Sequence, residues 1–281
     1  MNIFKSSTLL TLLIFAIIQY NVQGQEKKQL EKSIYKINKK IEIPITMGIF
    51  GVNILGFEYL RNKPKFEPEE VLLLDKMDIW WFDRIAIEQD ASFRHKAHDL
   101  SDFYLNSSVF LPVFLAFDKN IRKDWKDLLV LYSEAHAINT AFYISVASTT
   151  SRARPFNYNA DVPIEVKLGT ETRNSFFSGH VSSAATASFF MAKVYSDFHP
   201  ELGNKKYLLM GAASIPPFLV GFYRVKALKH FPTDVITGGI VGAAAGILIP
   251  HLHKIKDDES GFSFVPFAGN ISGLTVLYTF R

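Results

Sequence analysis

Apolar stretches separated by short polar segments dominate this sequence and leave few folds open to it. An early stretch at 43–60 precedes five more between residues 103 and 250. Most are about 15 to 20 residues long, near the lower limit for a helix that spans a bilayer. The pattern predicts helices packed side by side, either in a membrane or in a compact water-soluble bundle. The five later stretches are 103–117, 128–149, 181–196, 207–222 and 235–250.

Composition favours the membrane bundle. Hydrophobic residues make up 48% of the chain and the mean hydropathy is +0.10. Gly and Ala are dense in the last stretch, and small residues allow close helix packing in lipid. The net charge of +4 suits anionic partners such as phospholipid headgroups. The absence of cysteine excludes disulfides and thiolate metal sites, and no segment resembles a nucleic-acid-binding module.

The two ends of the chain differ from the apolar middle. Residues 1–24 combine Lys5, an apolar run and a small final residue, which predicts a secretory signal peptide, although an uncleaved membrane anchor has the same pattern. Residues 25–42 predict a basic amphipathic linker, 43–256 the helical bundle, and 257–281 a β-like tail. Alternating residues in the tail, with Gly269-Asn270 as a turn, predict a short β-hairpin.

Charges in the short connecting segments predict an orientation. Lys and Arg are concentrated at 118–127, 199–206 and just after the last stretch, and such loops are typically cytoplasmic. The segments 150–180 and 223–234 are then expected to face outward. A spanning helix at 43–60 behind a cleaved signal would reverse this orientation, whereas a helix that only dips into the interface would keep it.

Three groups of charged or polar residues lie where the helices are expected to end. Each group by itself has an ordinary structural explanation, such as an N-terminal cap or a charge that interacts with a helix dipole. In a bundle of antiparallel neighbours, however, the ends that carry them share one face. The groups are Arg154-Pro155, Ser178-Gly179-His180, and Arg224 with His230 and Asp234.

That shared face has the residue types that phosphoryl transfer requires. Arginines bind phosphate through a bidentate fork, and free N–H groups at a helix start bind anions. A carboxylate such as Asp234 can hold one ring nitrogen of His230 and make the other more nucleophilic. The reaction needs charge stabilisation, a nucleophile and an acid for the leaving group. We therefore expect an active site here that uses no metal and no cofactor.

Other polar residues carry weaker signals. His251 and His253 are two residues apart and point in different directions on a helix, which disfavours a metal site between them. Glu134 and His136 lie inside an apolar stretch and predict polar contacts within the bundle. The sequence does not specify an oligomeric state.

The three groups resemble the motifs of the type 2 phosphatidic acid phosphatase family, which shares its site with bacterial non-specific acid phosphatases and vanadium haloperoxidases. The family pattern has Lys six residues before Arg-Pro, then Pro-Ser-Gly-His, then Ser-Arg, five residues, His, three residues and Asp. The resemblance covers residues 100 to 255 and implies an all-α fold, a six-helix membrane-embedded bundle. The matching residues are Arg154-Pro155, Ser178-Gly179-His180, Arg224, His230 and Asp234.

The resemblance also implies a role for each matching residue. His230 would be the nucleophile that forms a phosphohistidine, and Asp234 would orient it. His180 would protonate the leaving alkoxide. The phosphate oxygens would be bound by Arg154, Arg224, Ser178 and the amide of Gly179.

Three positions depart from the family pattern. Ala147 stands where the family has Lys, Phe177 where it has Pro, and Tyr223 where it has Ser. Loss of the Lys removes a charged phosphate contact, which costs a few kcal/mol of transition-state binding at comparable sites. Arg152 is a candidate to compensate because it lies two residues before Arg154.

The function expected from these features is metal-independent hydrolysis of a lipid phosphate or diphosphate in the membrane. Phosphatidic acid, phosphatidylglycerol phosphate, undecaprenyl diphosphate and lipid A all remain open as substrates. The protein is expected in a bacterial cell membrane with its catalytic face towards the periplasm. The alternatives are a soluble periplasmic acid phosphatase, a vanadate-dependent haloperoxidase, and a non-catalytic phospholipid-binding protein.

Overall fold

The computed structural model describes residues 33–255 and the backbone of 262–267 and 273–278. The predicted signal peptide, residues 25–32 of the linker 25–42 and the predicted turn at Gly269-Asn270 lie outside the described residues. In the described part before residue 256, regular structure is almost entirely α-helix and short 3-10 helix. The predicted all-α class is therefore confirmed.

Each apolar stretch predicted from the sequence lies in a helical segment. The stretch 103–117 is covered by an α-helix that continues as a 3-10 helix over Leu111–Phe117, and 207–222 is covered by two consecutive helices. The α-helices are α1 (Lys39–Arg61), α2 (Pro68–Leu72), α3 (Arg94–Phe110), α4 (Trp125–Thr149), α5 (Ile164–Lys167), α6 (Gly179–Phe198), α7 (Lys205–Ala212), α8 (Ile215–Lys226) and α9 (Pro232–His253).

Prolines account for several helix boundaries. Pro232 is the first residue of α9, where its missing N–H costs nothing and its fixed φ suits the helix. Pro216 and Pro217 lie in the first turn of α8 and separate it from α7. Pro155 begins a short 3-10 helix after α4 and keeps Arg154 in extended backbone.

Close contact between α6 and α9 depends on glycines. A Cβ atom built on Gly242 would lie 2.0 Å from the carbonyl oxygen of Ser182 in α6. A Cβ atom on Gly246, one turn later, would lie 2.5 Å from the carbonyl oxygen of Thr186 in α6. A Cβ atom on Gly238, one turn earlier, would lie 2.5 Å from the carbonyl oxygen of Ser178, the residue just before α6. This spacing of small residues lets two backbones approach as in membrane helix pairs, as the composition of this stretch predicted.

Polar side chains in the helix interior are paired with neighbouring helices. Nδ2 of Asn53 in α1 donates to the carbonyl oxygen of Ala137 in α4 at 2.9 Å. Nδ2 of Asn139 in α4 donates to Oγ of Ser182 in α6 at 3.2 Å. Lipid tails offer polar side chains no hydrogen-bond partner, so hydrogen bonds of this kind hold neighbouring helices together.

The outer surface of the bundle is apolar. Leu55, Leu208 and Ile240 project outward with 71%, 76% and 66% of their surface exposed, which is typical of side chains that face lipid. Within the described residues, four helical segments are long and apolar enough to cross a bilayer. The chain is therefore a membrane protein. The four segments are Lys39–Arg61, Ala91–Phe117, Lys205–Lys226 and Pro232–His253.

The segment before α1 is attached to the end of α9. Tyr35 forms an antiparallel bridge with Lys254, and its hydroxyl donates to Oδ2 of Asp197 in α6 at 2.8 Å. Nζ of Lys254 lies 2.8 Å from the other oxygen of Asp197. Farther on, strands β1 (Phe262–Phe267) and β2 (Gly273–Tyr278) pair antiparallel, with Phe262 opposite Tyr278.

Candidate active site

The helix ends that carry the three motif groups do meet in one region. Arg224, in the last turn of α8, lies 3.5 Å from Nε2 of His230 through one guanidinium nitrogen. The backbone N–H of Ser178, just before α6, donates to the carbonyl oxygen of Asp234 in α9 at 3.0 Å. Arg154, after α4, contacts the carbonyl oxygen of Lys229 at 3.3 Å. Residues distant in sequence therefore surround His230.

His230 is buried, with 2% of its surface exposed, in the connection between α8 and α9. Its Nδ1 lies 2.7 Å from the carbonyl oxygen of Ser175, and because a carbonyl only accepts, Nδ1 carries the proton of the neutral ring. Burial, together with the positive charges of Arg154 and Arg224, holds the pKa of His230 well below its usual value. The unprotonated Nε2 therefore keeps a lone pair beside Arg224, as a nucleophile requires.

Asp234 does not hydrogen-bond His230 directly, contrary to the expected contact. Its Oδ2 is 3.9 Å from Nδ1, beyond hydrogen-bond distance. Instead Oδ2 accepts from Oγ of Ser175 at 2.6 Å and from the N–H of Phe231 at 2.8 Å. The carboxylate thus fixes the residues on both sides of the imidazole, and its influence on His230 passes through Ser175.

Arg152 is engaged by carboxylates and does not replace the missing Lys. Its guanidinium contacts Oδ1 of Asp234 at 2.5 Å and Oδ2 of Asp83 at 2.7 Å. Asp83 also accepts from the backbone N–H and hydroxyl of Thr233 in the first turn of α9, at 2.9 and 2.6 Å. Arg152 therefore joins the loop before α3 to the start of α9, and its charge is neutralised there.

His180 is paired with a carboxylate that the motif pattern does not include. Its Nε2 lies 3.2 Å from Oδ1 of Asp102 in α3. The same oxygen is 3.9 Å from Arg224, and Arg224 also lies 3.1 Å from Nδ1 of His98. The sequence did offer one signal, since an acid at the edge of an apolar helix usually faces the interior and serves a function.

Arg154 is buried and held by main-chain oxygens. Its Nε donates to the carbonyl oxygen of Glu171 at 2.7 Å, and its backbone N–H donates to Thr172 at 3.0 Å. These contacts fix the guanidinium plane without neutralising its charge. Among the described residues no carboxylate pairs with Arg154, and a positive group that is oriented in this way is suited to an anionic ligand.

The start of α6 supplies further donors. Oγ of Ser178 is fully buried and has no hydrogen-bond partner among the described residues. A buried hydroxyl without a hydrogen-bond partner lowers the stability of the fold unless a ligand supplies that partner. The first N–H groups of a helix lack partners within the helix and attract anions. A Cβ atom at Gly179 would lie 3.2 Å from the ring of Tyr143, so the residue type is set by packing as well as by ligand access.

The residues at the three positions that depart from the family pattern each make a local contact. Ala147 is buried, and Nζ of Lys63 donates to its carbonyl oxygen at 2.9 Å, so Lys63 caps the end of α4. Phe177 is buried against Tyr143, with ring centroids 5.6 Å apart. Tyr223 stacks on Tyr104 at 5.5 Å.

Comparison with known proteins finds one matching family model and two similar solved structures. Residues 127–257 match the model of the PAP2 superfamily. Two solved structures are similar: a transmembrane PAP2 type phosphatidylglycerolphosphate phosphatase from Bacillus subtilis, 21% identical, and LpxE from Aquifex aeolicus, 24% identical. The first covers 76% of this chain and 98% of its own with a TM-score of 0.43, and the second covers 60% and 91% with 0.39.

A search of the curated proteins finds no match to this chain. The family match spans α4 to α9, which are the helices whose ends supply Arg154, Ser178, Arg224, His230 and Asp234. Residues 127–257 are therefore a PAP2 superfamily domain, and the chain is a phosphoric ester hydrolase.

Proposed function

We propose that this protein hydrolyses a phosphate or diphosphate ester of a membrane lipid through a phosphohistidine on His230. Nε2 of His230 attacks the terminal phosphorus as its bond to the leaving oxygen breaks, and His180 donates a proton to that oxygen, which is the lipid oxygen of a monophosphate or the bridging oxygen of a diphosphate. Water, deprotonated by His180, then attacks the phosphohistidine and releases inorganic phosphate and free His230. Arg154 and Arg224 stabilise the charge on the phosphoryl oxygens, so the chemistry requires no metal.

One observation carries this proposal. Arg224 lies within 3.5 Å of Nε2 of His230 and within 3.9 Å of the carboxylate that holds His180. Arg224 therefore brings the proposed nucleophile and the carboxylate partner of the proposed acid to the same cation. General acid and nucleophile roles need such groups within reach of the same atoms.

The apolar outer surface supports a lipid as the substrate. The helices that carry the site are flanked by exposed apolar side chains on α8 and α9, such as Phe222 and Ile236. A lipid tail can stay in the bilayer while its phosphate enters the polar helix ends. Phosphatidic acid, phosphatidylglycerol phosphate, prenyl diphosphate and lipid A all meet this description.

Loop charges support a location in a bacterial cell membrane with the site towards the periplasm. The basic segment around Arg122 and Lys123 lies at the start of α4, whereas Arg154 and the other site residues follow its end. Helix α4 places these two regions at opposite ends of the bundle. By the positive-inside rule the basic end faces the cytoplasm. Helix α1 starts at this same end, since Lys39 pairs with Asp127, so the proposed orientation is incompatible with a cleaved signal peptide before a spanning α1.

The decisive experiment compares purified protein in detergent with His230→Ala and a matched His251→Ala control, since His251 is exposed in the last turn of α9. A chromogenic phosphomonoester and a panel of lipid phosphates are assayed briefly in EDTA. We expect turnover by the wild type and His251→Ala, and at least a roughly 10³-fold loss in His230→Ala. Wild type denatured in alkali should retain labelled phosphate on His230, because phosphohistidine is stable in base and hydrolyses in acid.

Other outcomes distinguish the alternatives. Release of the protein from membranes by a high-salt wash would favour a soluble acid phosphatase. Phospholipid binding without turnover of any substrate in the panel would favour a binding protein. Full activity in His230→Ala would contradict the proposed mechanism.

A further inference from the structure

Three potential metal ligands meet at the other end of α9, away from the phosphate site. Glu42 lies in the first turn of α1, Glu134 in α4, and His253 is the last residue of α9. One ligand atom from each lies within 4.8 Å of the other two. Along α9, His253 is about 29 Å from Asp234 at the usual rise per residue. The cluster is therefore separate from the active site.

The distances within the cluster suit a shared ion better than hydrogen bonds. Nε2 of His253 is 3.5 Å from Oε2 of Glu134 and 3.6 Å from Oε2 of Glu42. A charge-assisted hydrogen bond would bring these atoms to about 2.7–2.9 Å. Two ligands at about 2.1 Å from one tetrahedral ion stand roughly 3.4 Å apart. The two histidine–carboxylate distances match this separation, and the two carboxylate oxygens lie within 4.8 Å of each other.

Both carboxylate oxygens lack a donor. Oε2 of Glu42 and Oε2 of Glu134 are fully buried, and neither accepts a hydrogen bond from any described residue. The other oxygen of Glu42 is satisfied, since it accepts from the backbone N–H of Asn38 at 2.8 Å. Two buried and unsatisfied carboxylate oxygens are costly, and a divalent cation between them removes that cost.

The imidazole is oriented as metal-ligating histidines are. Nδ1 of His253 lies 2.9 Å from the carbonyl oxygen of Ile249, one turn earlier in α9. A carbonyl accepts, so Nδ1 holds the proton and Nε2 presents a lone pair towards the two carboxylates. A backbone hydrogen bond of this kind commonly fixes the tautomer and ring orientation of a ligand histidine.

We propose that Glu42, Glu134 and His253 form a structural site for a divalent transition-metal ion. One imidazole and two carboxylates suit Zn²⁺ or Mn²⁺ better than Mg²⁺ or Ca²⁺, which prefer oxygen ligands throughout. The ion joins α1, α4 and α9 at one end of the bundle. Its charge balances the two carboxylates while His253 stays neutral.

The test uses tag-free, full-length protein in detergent, stripped with EDTA and desalted. Binding of Zn²⁺, Mn²⁺ and Mg²⁺ is measured by equilibrium dialysis with elemental analysis, and thermal unfolding is followed with and without each ion. His253→Gln and Glu134→Gln remove ligands. His251→Gln is the matched control, because it makes the same substitution on an exposed histidine of the same helix turn.

We expect one Zn²⁺ per chain in the wild type and in His251→Gln, with a higher melting temperature in both. His253→Gln and Glu134→Gln should bind at least about tenfold more weakly and lose the thermal shift. Glu42→Gln provides an independent ligand variant if either of these fails to fold. Equal binding by wild type and every folded ligand variant, or Mg²⁺ binding as tight as Zn²⁺, would overturn the proposal.

Discussion

The carbonyl oxygen of Ser175 lies 2.7 Å from Nδ1 of His230, at the position where a carboxylate partner was expected. The hydroxyl of the same serine donates to Asp234 at 2.6 Å. Ser175 thus links the carboxylate to the imidazole, with its main chain on one side and its side chain on the other. The orientation of the proposed nucleophile consequently depends on how firmly Asp234 holds this residue.

Removing the Ser175 hydroxyl tests that link. In Ser175→Ala the carbonyl remains, but one hydrogen bond to Asp234 is lost and the backbone is held less firmly. We expect kcat to fall about tenfold with little change in KM, because the substrate contacts stay intact. Ser145→Ala, which removes an exposed hydroxyl in α4, should behave as the wild type. An unchanged kcat in Ser175→Ala would show that the hydroxyl does not position His230.

Asp102→Asn should impair the proton donor. The neutral amide no longer favours the protonated form of His180, so less of the acid is available and its ring is held less firmly. We expect kcat to fall roughly 10- to 100-fold. As the pH is raised, the variant should lose activity at a lower pH than the wild type does. A substrate with a good leaving group, such as an aryl phosphate, should be affected less than a lipid phosphate.

Asp99→Asn is the matched control, because Asp99 is exposed on the same helix three residues earlier. An equal loss for aryl and lipid substrates in Asp102→Asn would contradict a role in proton donation.

Substitution of Gly242 should destabilise the bundle. In Gly242→Ala the added methyl group would lie 2.0 Å from the carbonyl oxygen of Ser182, so α6 and α9 must separate. Overpacking of this kind costs about 1–3 kcal/mol. Gly239→Ala places its methyl group no closer than 3.9 Å to Val181 and should be tolerated. Thermal unfolding in detergent separates the two variants, and equal melting temperatures would disprove close contact at Gly242.

Lys229 should make anion binding depend on pH near neutrality. Burial and the charges of Arg154 and Arg224 lower the pKa of Lys229 to about 7. The ammonium is therefore charged below that pH and neutral above it, so anions bind more weakly as pH rises. Sulfate, whose charge is constant in this range, should inhibit about tenfold less at pH 8 than at pH 6.

Two variants isolate the contribution of Lys229. Lys229→Arg stays charged and should bind sulfate tightly at both pH values, whereas Lys229→Gln should bind it weakly at both. A pH dependence that persists in Lys229→Arg would assign the titration to another group, such as His180.

The sequence by itself determined the helices and the motif residues. Apolar runs of bilayer length and prolines such as Pro232 act locally, so they define segments without knowledge of the fold. The spacing of Arg224, His230 and Asp234 is also local, since all three lie within the α8–α9 connection and its flanking turns. The alternation of helix direction was enough to predict that distant groups share one face.

Only the tertiary structure decided which groups touch. The contacts of His230 with Ser175, of His180 with Asp102 and of Arg152 with Asp83 join residues 55, 78 and 69 positions apart. A hydrogen bond needs atoms within about 3 Å, whereas helix packing predicted from sequence locates them only to within a helix diameter. For the same reason the sequence did not predict the cluster of Glu42, Glu134 and His253, since its three ligands come from three helices.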